Sequence, residues 1–164
     1  MTISPAAFRD ALRLFPAGVT VVTIRAGEQV HGLTVSAFAS VSPEPPLVAV
    51  MIDHQHGAHA MLELPGAVFA VNVLGEEQAE LSDRFAWSPD SERFELGEWS
   101  TAVTGAPVLV DALAWLDCTL YSRHEAGSHT LYIGRVEASA TPRPEARPLV
   151  YWNRGYRSLA RDGE

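Results

Sequence analysis

Short apolar runs rich in β-branched residues alternate with turn-forming residues along most of this 164-residue chain, and this alternation constrains the fold more than any other feature. The runs "VTVVTI" at 19–24 and "VHGLTVSA" at 30–37 flank the turn sequence "RAGEQ" and predict a β-hairpin. The runs "ALAWLDCTLYSR" and "HTLYIGRVEASA" predict a second, longer hairpin. Strands in hairpin order favour an antiparallel barrel over a doubly wound parallel sheet. The residues therefore predict a mainly β fold with peripheral helices.

The helical segments are expected to lie outside the sheet. Ser4 and Pro5 are the residue types of a helix N-cap and of a first helical position. Phe8, Leu12 and Phe15 follow on one helical stripe. The other predicted elements are helices at 57–64 and 76–86, strands at 47–52, 67–74 and 148–152 (the last strand), and a long loop at 87–107.

The stretch "GLTVSAFASVSPEPPL", at 32–47, combines hydroxyl groups with prolines. Three prolines within 43–46 exclude a helix or a central strand there. Such hydroxyls and the backbone donors of a strand edge can bind a planar heterocycle and a phosphate. The same residue types also form loops that cap their own backbone, so both interpretations are open. The hydroxyls belong to Thr34, Ser36, Ser40 and Ser42.

Composition excludes several classes of function. All twelve basic residues are arginine, so neither a lysine Schiff base nor a P-loop lysine is available. The net charge of −8, without a basic tract, disfavours nucleic-acid binding. Cys118 is the single cysteine and excludes an intrachain disulfide. The longest apolar run, at 47–52, is too short to span a bilayer, and no signal peptide is visible. These observations predict a soluble, cytoplasmic protein with no membrane association.

Three histidines, His54, His56 and His59, lie close together beside Asp53. Three imidazoles and a carboxylate could bind zinc or iron, but their spacing matches no common metal motif. A helix beginning near Gly57 would favour an anion instead. The order of preference is a solvated polar loop, then an anion site, then a metal site, and we expect no bound metal.

Two further stretches carry candidate ligand-binding residues. Trp152, Arg154 and Tyr156 combine aromatic faces with a guanidinium group, which suits a dinucleotide. The same aromatic residues could close the end of a barrel or a dimer seam. His129 stands at the mouth of the long hairpin, where a histidine is usually only an exposed polar residue. No GxGxxG motif follows a predicted strand, which argues against a Rossmann site.

Together these stretches resemble the short-chain flavin reductase family, the reductase components of two-component flavin-dependent monooxygenases. The resemblance runs through nearly the whole chain, and the match at 32–47 is the most specific part of it. It is carried by "FPAGVTVVT" at 15–23, "GLTVSAFASVSPEPPL" at 32–47, "FAVNVL" at 69–74, "LSDRF" at 81–85, "GSH" at 127–129, "GRV" at 134–136 and "PLVYWNRGY" at 148–156.

The resemblance implies an FMN-binding split β-barrel, antiparallel and of Greek-key type, formed as a single domain by residues 1–164. It also implies a homodimer with flavin sites near the subunit interface. Residues expected to bind or approach the flavin are Thr34, Val35, Ser36, Ala37, Ser40, Val41, Ser42, His54, His56, His59 and Phe85. Residues expected on the nicotinamide side are His129, which would be the catalytic residue, Arg154 and Tyr156.

The activity implied by the resemblance is the NAD(P)H-dependent reduction of FMN or FAD, which supplies reduced flavin to a partner monooxygenase. The co-substrate would be NADH or NADPH. One alternative is a flavoprotein that keeps FMN or FAD as a prosthetic group and acts on its own organic substrate; another is a non-catalytic flavin-binding module. Ser128 stands where the family has an aspartate, so His129 lacks the carboxylate that would orient it.

Overall fold

The computed structural model describes residues 3–160. Its helices are α1 (Pro5–Leu12), α2 (Gly57–Leu62), α3 (Ala79–Trp87) and α4 (Asp90–Arg93), and a 3₁₀ turn at Glu76–Gln78 precedes α3. Its strands are β1 (Ala17–Gly18), β2 (Thr20–Ala26), β3 (Gln29–Val35), β4 (Phe38–Pro43), β5 (Pro46–Asp53), β6 (Val68–Val73), β7 (Trp99–Thr101), β8 (Pro107–Leu109), β9 (Ala114–Ala126), β10 (His129–Ala140), β11 (Val150–Trp152) and β12 (Gly155–Arg157).

Seven antiparallel strands form the main sheet, in the order β3-β2-β6-β9-β10-β5-β4. The two edge strands, β3 and β4, are consecutive in the chain, and Ser36 and Ala37 join them. This link brings the two edges of the sheet together, and the Met51 N–H donates to the Ala37 carbonyl at 3.1 Å. We call the segment 34–37 the seam. The predicted antiparallel barrel with peripheral helices is confirmed.

Two apolar clusters lie on the two faces of the curved sheet. The alternation of side chains along a strand puts Val22 and Ile24 of β2 inside the barrel, and Val21 on the outer face beneath α3. The inner cluster includes Phe69 and Tyr132, both fully buried. Gly134 is needed at this point, because a Cβ there would overlap the Phe69 ring.

The predicted hairpins and helices all occur, but two predictions along the chain were wrong. The interval 87–107 is not one loop, since it contains α4 and β7. The strand β11 is not the last, because Asn153 and Arg154 form a tight turn into β12. Both turn residues have positive φ, 48° and 63°, as a two-residue hairpin of this handedness requires.

The apolar stripe of α1 does not join the core. Phe8, Leu12 and Phe15 are 51%, 52% and 73% exposed, and α1 has no buried residue. The helix and the segment after it contact the C-terminal hairpin instead: Arg154 Nη2 lies 3.5 Å from Asp10 Oδ1, and the indole N–H of Trp152 donates to the Leu14 carbonyl at 3.0 Å. None of the helices within residues 3–160 is both long and apolar enough to cross a membrane.

Candidate active site

Two adjoining cavities open at the seam of the barrel. The larger, of ≈ 560 Å³, lies between the seam, α3 and the C-terminal hairpin. The smaller, of ≈ 250 Å³, lies between the seam and the end of β5. Four residues line both: Leu33, Thr34, Ser36 and His56. The rest of the larger cavity is lined by Val19, Ser82, Asp83, Phe85, Ala86, Trp87, Tyr151, Arg154, Gly155 and Tyr156.

The position of the seam follows from strand pairing and from two side-chain hydrogen bonds. The buried Thr20 hydroxyl donates to the Val35 carbonyl at 2.6 Å, which holds the last residue of β3 against β2. The Thr34 hydroxyl donates to the Ser82 carbonyl at 2.6 Å and ties the seam to α3. β3 is an edge strand of the seven-stranded sheet and pairs only with β2. Its other edge therefore presents backbone groups to which a ligand at the seam could bind.

The inner wall of the larger cavity depends on a glycine. A Cβ at Gly32 would overlap the Phe85 ring, so the missing side chain lets α3 pack directly on β3. Phe85 is fully buried, and its ring centroid lies 5.2 Å from that of Phe94 and 5.3 Å from that of Trp99. Phe85 meets Phe94 edge to face, and the Trp99 ring is tilted by 53° to Phe85, so Phe85 is held by packing on both rings and makes the wall rigid.

His56 lies where the two cavities meet and is held by the start of α2. Its Nδ1 accepts a hydrogen bond from the Ala58 N–H at 3.2 Å, so the ring caps the helix. A neutral imidazole with Nδ1 as acceptor carries its proton on Nε2. Burial lowers the pKa of His56, and the nearby Arg93 guanidinium lowers it further. His56 therefore offers a neutral N–H donor to the cavities.

Three polar side chains meet behind His56: the buried His31 and Arg93, and the exposed Asp90. The rings of His31 and His56 meet edge to face, with centroids 5.4 Å apart. His31 Nδ1 lies 3.2 Å from Asp90 Oδ2, and its Nε2 lies 3.4 Å from Arg93 Nη1. Since the guanidinium can only donate, His31 Nε2 is the acceptor and Nδ1–H donates to Asp90. Burial lowers the pKa of His31 although Asp90 opposes this shift, so the contact with Asp90 is that of a neutral ring.

The C-terminal hairpin closes the outer side of the larger cavity. The Tyr156 oxygen lies 2.7 Å from Asp83 Oδ1 and 2.9 Å from the Ser82 hydroxyl. A phenol has one proton, so it donates to the carboxylate and accepts from Ser82. Burial raises the pKa of Tyr156, and the Asp83 carboxylate also raises it, so the phenol stays protonated at neutral pH. Arg154 lines the same side from the tight turn.

Comparisons with known proteins agree with this architecture. A family model described as "Flavin reductase like domain" matches residues 12–160. The chain belongs to the flavin reductase-like family. The reductase component of 4-hydroxyphenylacetate 3-monooxygenase from Thermus thermophilus is 42% identical over 153 residues, covering 93% of this chain and 95% of that protein.

Two further members of the flavin reductase-like family are similar over most of their length. An FMN reductase (NADH), RutF 1, from Methylorubrum extorquens is 37% identical over 162 residues, covering 98% of this chain and 79% of that protein. The crystal structure of the flavin reductase HpaC complexed with NADP+ superposes with a TM-score of 0.87 at 33% identity, covering 95% of this chain and 98% of that one.

The cavities bring together eight of the residues predicted for a flavin reductase site. Thr34, Val35, Ser36, Ala37 and His56 line one or both cavities. Phe85, Arg154 and Tyr156 line the larger one. Ser40, Val41 and Ser42 lie on β4, where Ser40 and Val41 are exposed, and they line neither cavity.

The remaining predicted residues lie at the ends of β5 and β10. His54 Nε2 and His59 Nε2 lie 3.1 and 3.0 Å from the Thr130 hydroxyl. His129 is paired in register with Asp53, which lines the smaller cavity, but His129 itself lines neither cavity. Its Nδ1 lies 2.9 Å from the Ser128 hydroxyl. No cluster of histidine, cysteine and acidic side chains in residues 3–160 is arranged to hold a metal ion.

The sequence patterns did not indicate several residues that line the larger cavity, nor the contact of His31 with Asp90 and Arg93 behind His56. Ser82 and Ala86 share a helical face with Phe85, so extending the periodicity from the predicted Phe85 would have found them. His31 carried no such signal, because its partners, Asp90 and Arg93, are about sixty residues away in the chain.

Proposed function

We propose that the larger cavity is where this flavin reductase binds flavin and NAD(P)H, and that it passes reduced flavin to a flavin-dependent monooxygenase. The proposal rests on one observation. A cavity of ≈ 560 Å³ lies between the seam, at the edge strand β3, and the wall that contains Phe85. Cavities of about 300–1,000 Å³ with apolar walls and a few polar groups are typical of cofactor sites.

The lining residues fit a flavin. Val19, Leu33 and Phe85 provide apolar surface for a planar ring system. The seam provides backbone donors and the hydroxyls of Thr34 and Ser36, which match the polar edge of such a ring. His56 supplies a neutral N–H donor, while arginine and lysine are missing from the lining of the smaller cavity. We therefore assign the seam, Phe85 and His56 to the flavin.

The nicotinamide side is assigned to the C-terminal hairpin and to the end of β10. Tyr156 holds that hairpin against α3 through Ser82 and Asp83, so it fixes the width of the cavity. Arg154 brings the one guanidinium group of the cavity lining. We also assign His129 to this side, because it is paired in register with Asp53, which lines the smaller cavity, although His129 itself lines neither cavity.

The chemistry belongs to the bound groups, and the chain positions them. The seam, Phe85 and His56 would hold the flavin, which would supply the redox chemistry as the hydride acceptor for the reduced nicotinamide. The protonated Tyr156 and the neutral His56 do not change charge at neutral pH, so neither acts as an acid or a base. The Tyr156 proton stays on the hydrogen bond to Asp83, and His56 offers its N–H as a fixed donor. The rigid aromatic wall excludes water from one side of the site.

We also propose a homodimer that works in the cytoplasm with a monooxygenase partner. The exposed apolar side chains of α1, together with Trp152 on the adjacent hairpin, support the dimer, since large apolar patches usually become buried. Use of the cellular NAD(P)H pool supports the location. Two relatives are named as reductase parts of flavin-dependent or 4-hydroxyphenylacetate monooxygenases, which supports a monooxygenase as the partner.

Steady-state oxidation of NADH and NADPH with FMN, FAD and riboflavin tests the proposed activity. We expect turnover of free flavin and weak flavin retention during purification. A protein that purifies with tightly bound flavin, and that does not turn over added flavin, would contradict the proposal.

The variant Ser36→Tyr tests the place of the site. A phenol ring at the seam would fill the junction of the two cavities, so we expect flavin affinity to fall at least about 100-fold. Ser100→Tyr, on the exposed β7, is the matched control and should leave the affinity unchanged. Flavin affinity is measured by fluorescence titration of the folded variants. Equal affinity in the two variants would show that flavin does not bind in this cavity.

A further inference from the structure

His56 lines both cavities, but a single side-chain hydrogen bond holds its ring in the part of the chain that the structure describes. That bond runs from the Ala58 N–H to Nδ1 at 3.2 Å. One bond at one ring atom fixes the tautomer but leaves the ring free to turn about it. The second contact is with the His31 ring, whose centroid lies 5.4 Å away and whose plane is inclined by 64°. The plane of the His56 ring therefore depends on where His31 lies.

His31 is itself held on three sides. Its Nδ1–H donates to Asp90 Oδ2 at 3.2 Å, and its Nε2 lies 3.4 Å from Arg93 Nη1. A Cβ at Gly57 would lie 3.6 Å from His31 Cε1, so the first residue of α2 packs against the ring. The His31 ring is only 6% exposed. It thus connects α4 to the start of α2, where His56 is the N-cap.

Asp90 can be removed without detaching α4 from the barrel. Its side chain is 63% exposed, and neither Asp90 nor His31 lines either cavity. Arg93 anchors α4 independently, because its Nη1 donates to the Gly32 carbonyl at 2.7 Å and its Nε to the Ser88 carbonyl at 3.0 Å. Loss of Asp90 removes the acceptor of the His31 Nδ1–H, so the His31 ring can then turn or change its tautomer.

We propose that Asp90 and His31 are positioning residues for flavin binding. Asp90 holds His31 with Nδ1–H as the donor, His31 sets the plane of the His56 ring, and this ring then directs its Nε2–H into the junction of the two cavities. The proposal rests on the proposed function, because it takes flavin as the group that accepts this hydrogen bond. An exposed carboxylate of α4, which touches no ligand, thus controls flavin affinity through two imidazole rings.

Flavin binding by Asp90 variants tests the first step. We expect Asp90→Ala to raise the dissociation constant and the KM for flavin about 3- to 10-fold, as for the loss of one hydrogen bond, with kcat within about twofold of wild type. Asp90→Asn keeps an acceptor oxygen and should restore most of the affinity. Glu92→Ala removes a carboxylate from an exposed position of the same helix and is the matched control. Equal flavin affinity in Asp90→Ala and Glu92→Ala would overturn the proposal.

A double-mutant cycle separates positioning from a merely structural effect. α3 precedes α4 and carries Phe85 of the cavity wall, so a general loosening of α4 would weaken flavin binding whether or not His56 is present. If Asp90 acts through His56, Asp90→Ala should change the flavin dissociation constant less than about twofold in the His56→Ala background. Fluorescence titration of the two single variants and of the double variant measures this coupling. Additive losses would contradict the proposal.

Nitrogen NMR of the histidine side chains, recorded without flavin, tests the geometry independently of ligand binding. For the wild type near neutral pH we expect the Nδ1–H tautomer for His31 and the Nε2–H tautomer for His56. Asp90→Ala should give mixed tautomers for His31 and shift the His56 signals, whereas Glu92→Ala should leave both unchanged. The Nε2–H tautomer for His31 in the wild type, or unchanged His56 signals in Asp90→Ala, would refute the proposed arrangement. If the wild type binds no flavin, the proposed function fails, and these spectra still decide whether Asp90 positions His56.

Discussion

Two groups of histidines lie near the candidate site, and they differ in the groups that surround them. The inner pair has lowered pKa values because His31 is buried, His56 is half-buried, and the Arg93 guanidinium lies near both rings. The outer group, His54, His59 and His129, lies at the strand ends and pairs with hydroxyl groups of threonine and serine. Neighbours in the chain therefore belong to different environments.

The difference arises because the short turn between β5 and α2 directs neighbouring histidines into different surroundings. His54 follows the last residue of β5, His56 caps α2, and His59 lies one turn into that helix. The chain changes direction between these positions, so the three side chains point in different directions. Of the three, only His56 lines the cavities. The Thr130 hydroxyl has one proton and can donate to only one of His54 and His59, so the other ring must donate to it. The short segment 54–59 thus contains one imidazole that lines the cavities and two that bind the Thr130 hydroxyl.

The largest effect that separates the two groups is expected in flavin affinity. His56→Ala removes the N–H donor at the junction of the cavities, so we expect the flavin dissociation constant to rise about 5- to 100-fold. His59→Ala, in the first turn of α2, should change the flavin dissociation constant less than about twofold. Fluorescence titration of both variants measures the difference, and a larger loss in His59→Ala would reverse our division of the loop.

A second effect is expected in the pH dependence of stability. The unfolded chain binds a proton on a histidine below its ordinary pKa of 6.5, whereas the lowered pKa keeps His31 neutral in the folded protein. The unfolded state then binds more protons in this window, so stability falls as the pH drops below 6.5. The slope is at most about 1.4 kcal/mol per pH unit for each such histidine.

Paired variants isolate the contribution of His31. His31→Asn should flatten the slope below pH 6.5 and cost about 1–3 kcal/mol at pH 7, because Asp90 and Arg93 lose a buried partner. His124→Asn, at an exposed position of β9, is the control and should keep the wild-type slope. Denaturant unfolding from pH 5 to 8 measures both. An unchanged slope in His31→Asn would mean that another group titrates in this range.

The smallest effect is expected at His129. We predict that His129→Ala raises the KM for NADH about fivefold and leaves flavin affinity unchanged, because one hydrogen bond at the edge of the site is lost. Ser128→Asp would place a carboxylate beside Nδ1, favour the imidazolium and shift the pH dependence of NADH use upward. If both variants leave NADH kinetics unchanged, His129 is a bystander at the mouth of the hairpin.

Much of the fold could be predicted from local patterns. The strands β2, β3, β5, β6, β9 and β10 are signalled by β-branched runs between turn residues, and all were predicted. The short β7 and β12 were not, because three residues carry too little pattern and depend on the partner strand beside them. Likewise the apolar stripe of α1 indicated a helix correctly but not what it packs against.

The sequence by itself determined the chemistry available to this protein. It showed an all-arginine set of cations, a hydroxyl-rich segment stopped by prolines, and the motifs of a flavin reductase. Only the tertiary structure decided which of these groups meet. It closed the sheet at residues 34–37, brought α3 against Gly32, and placed His31 of β3 between Asp90 and Arg93. The contacts at Gly32 and His31 join residues more than fifty positions apart, and local sequence patterns do not report such distant partners. Only packing of the whole barrel brings these groups together.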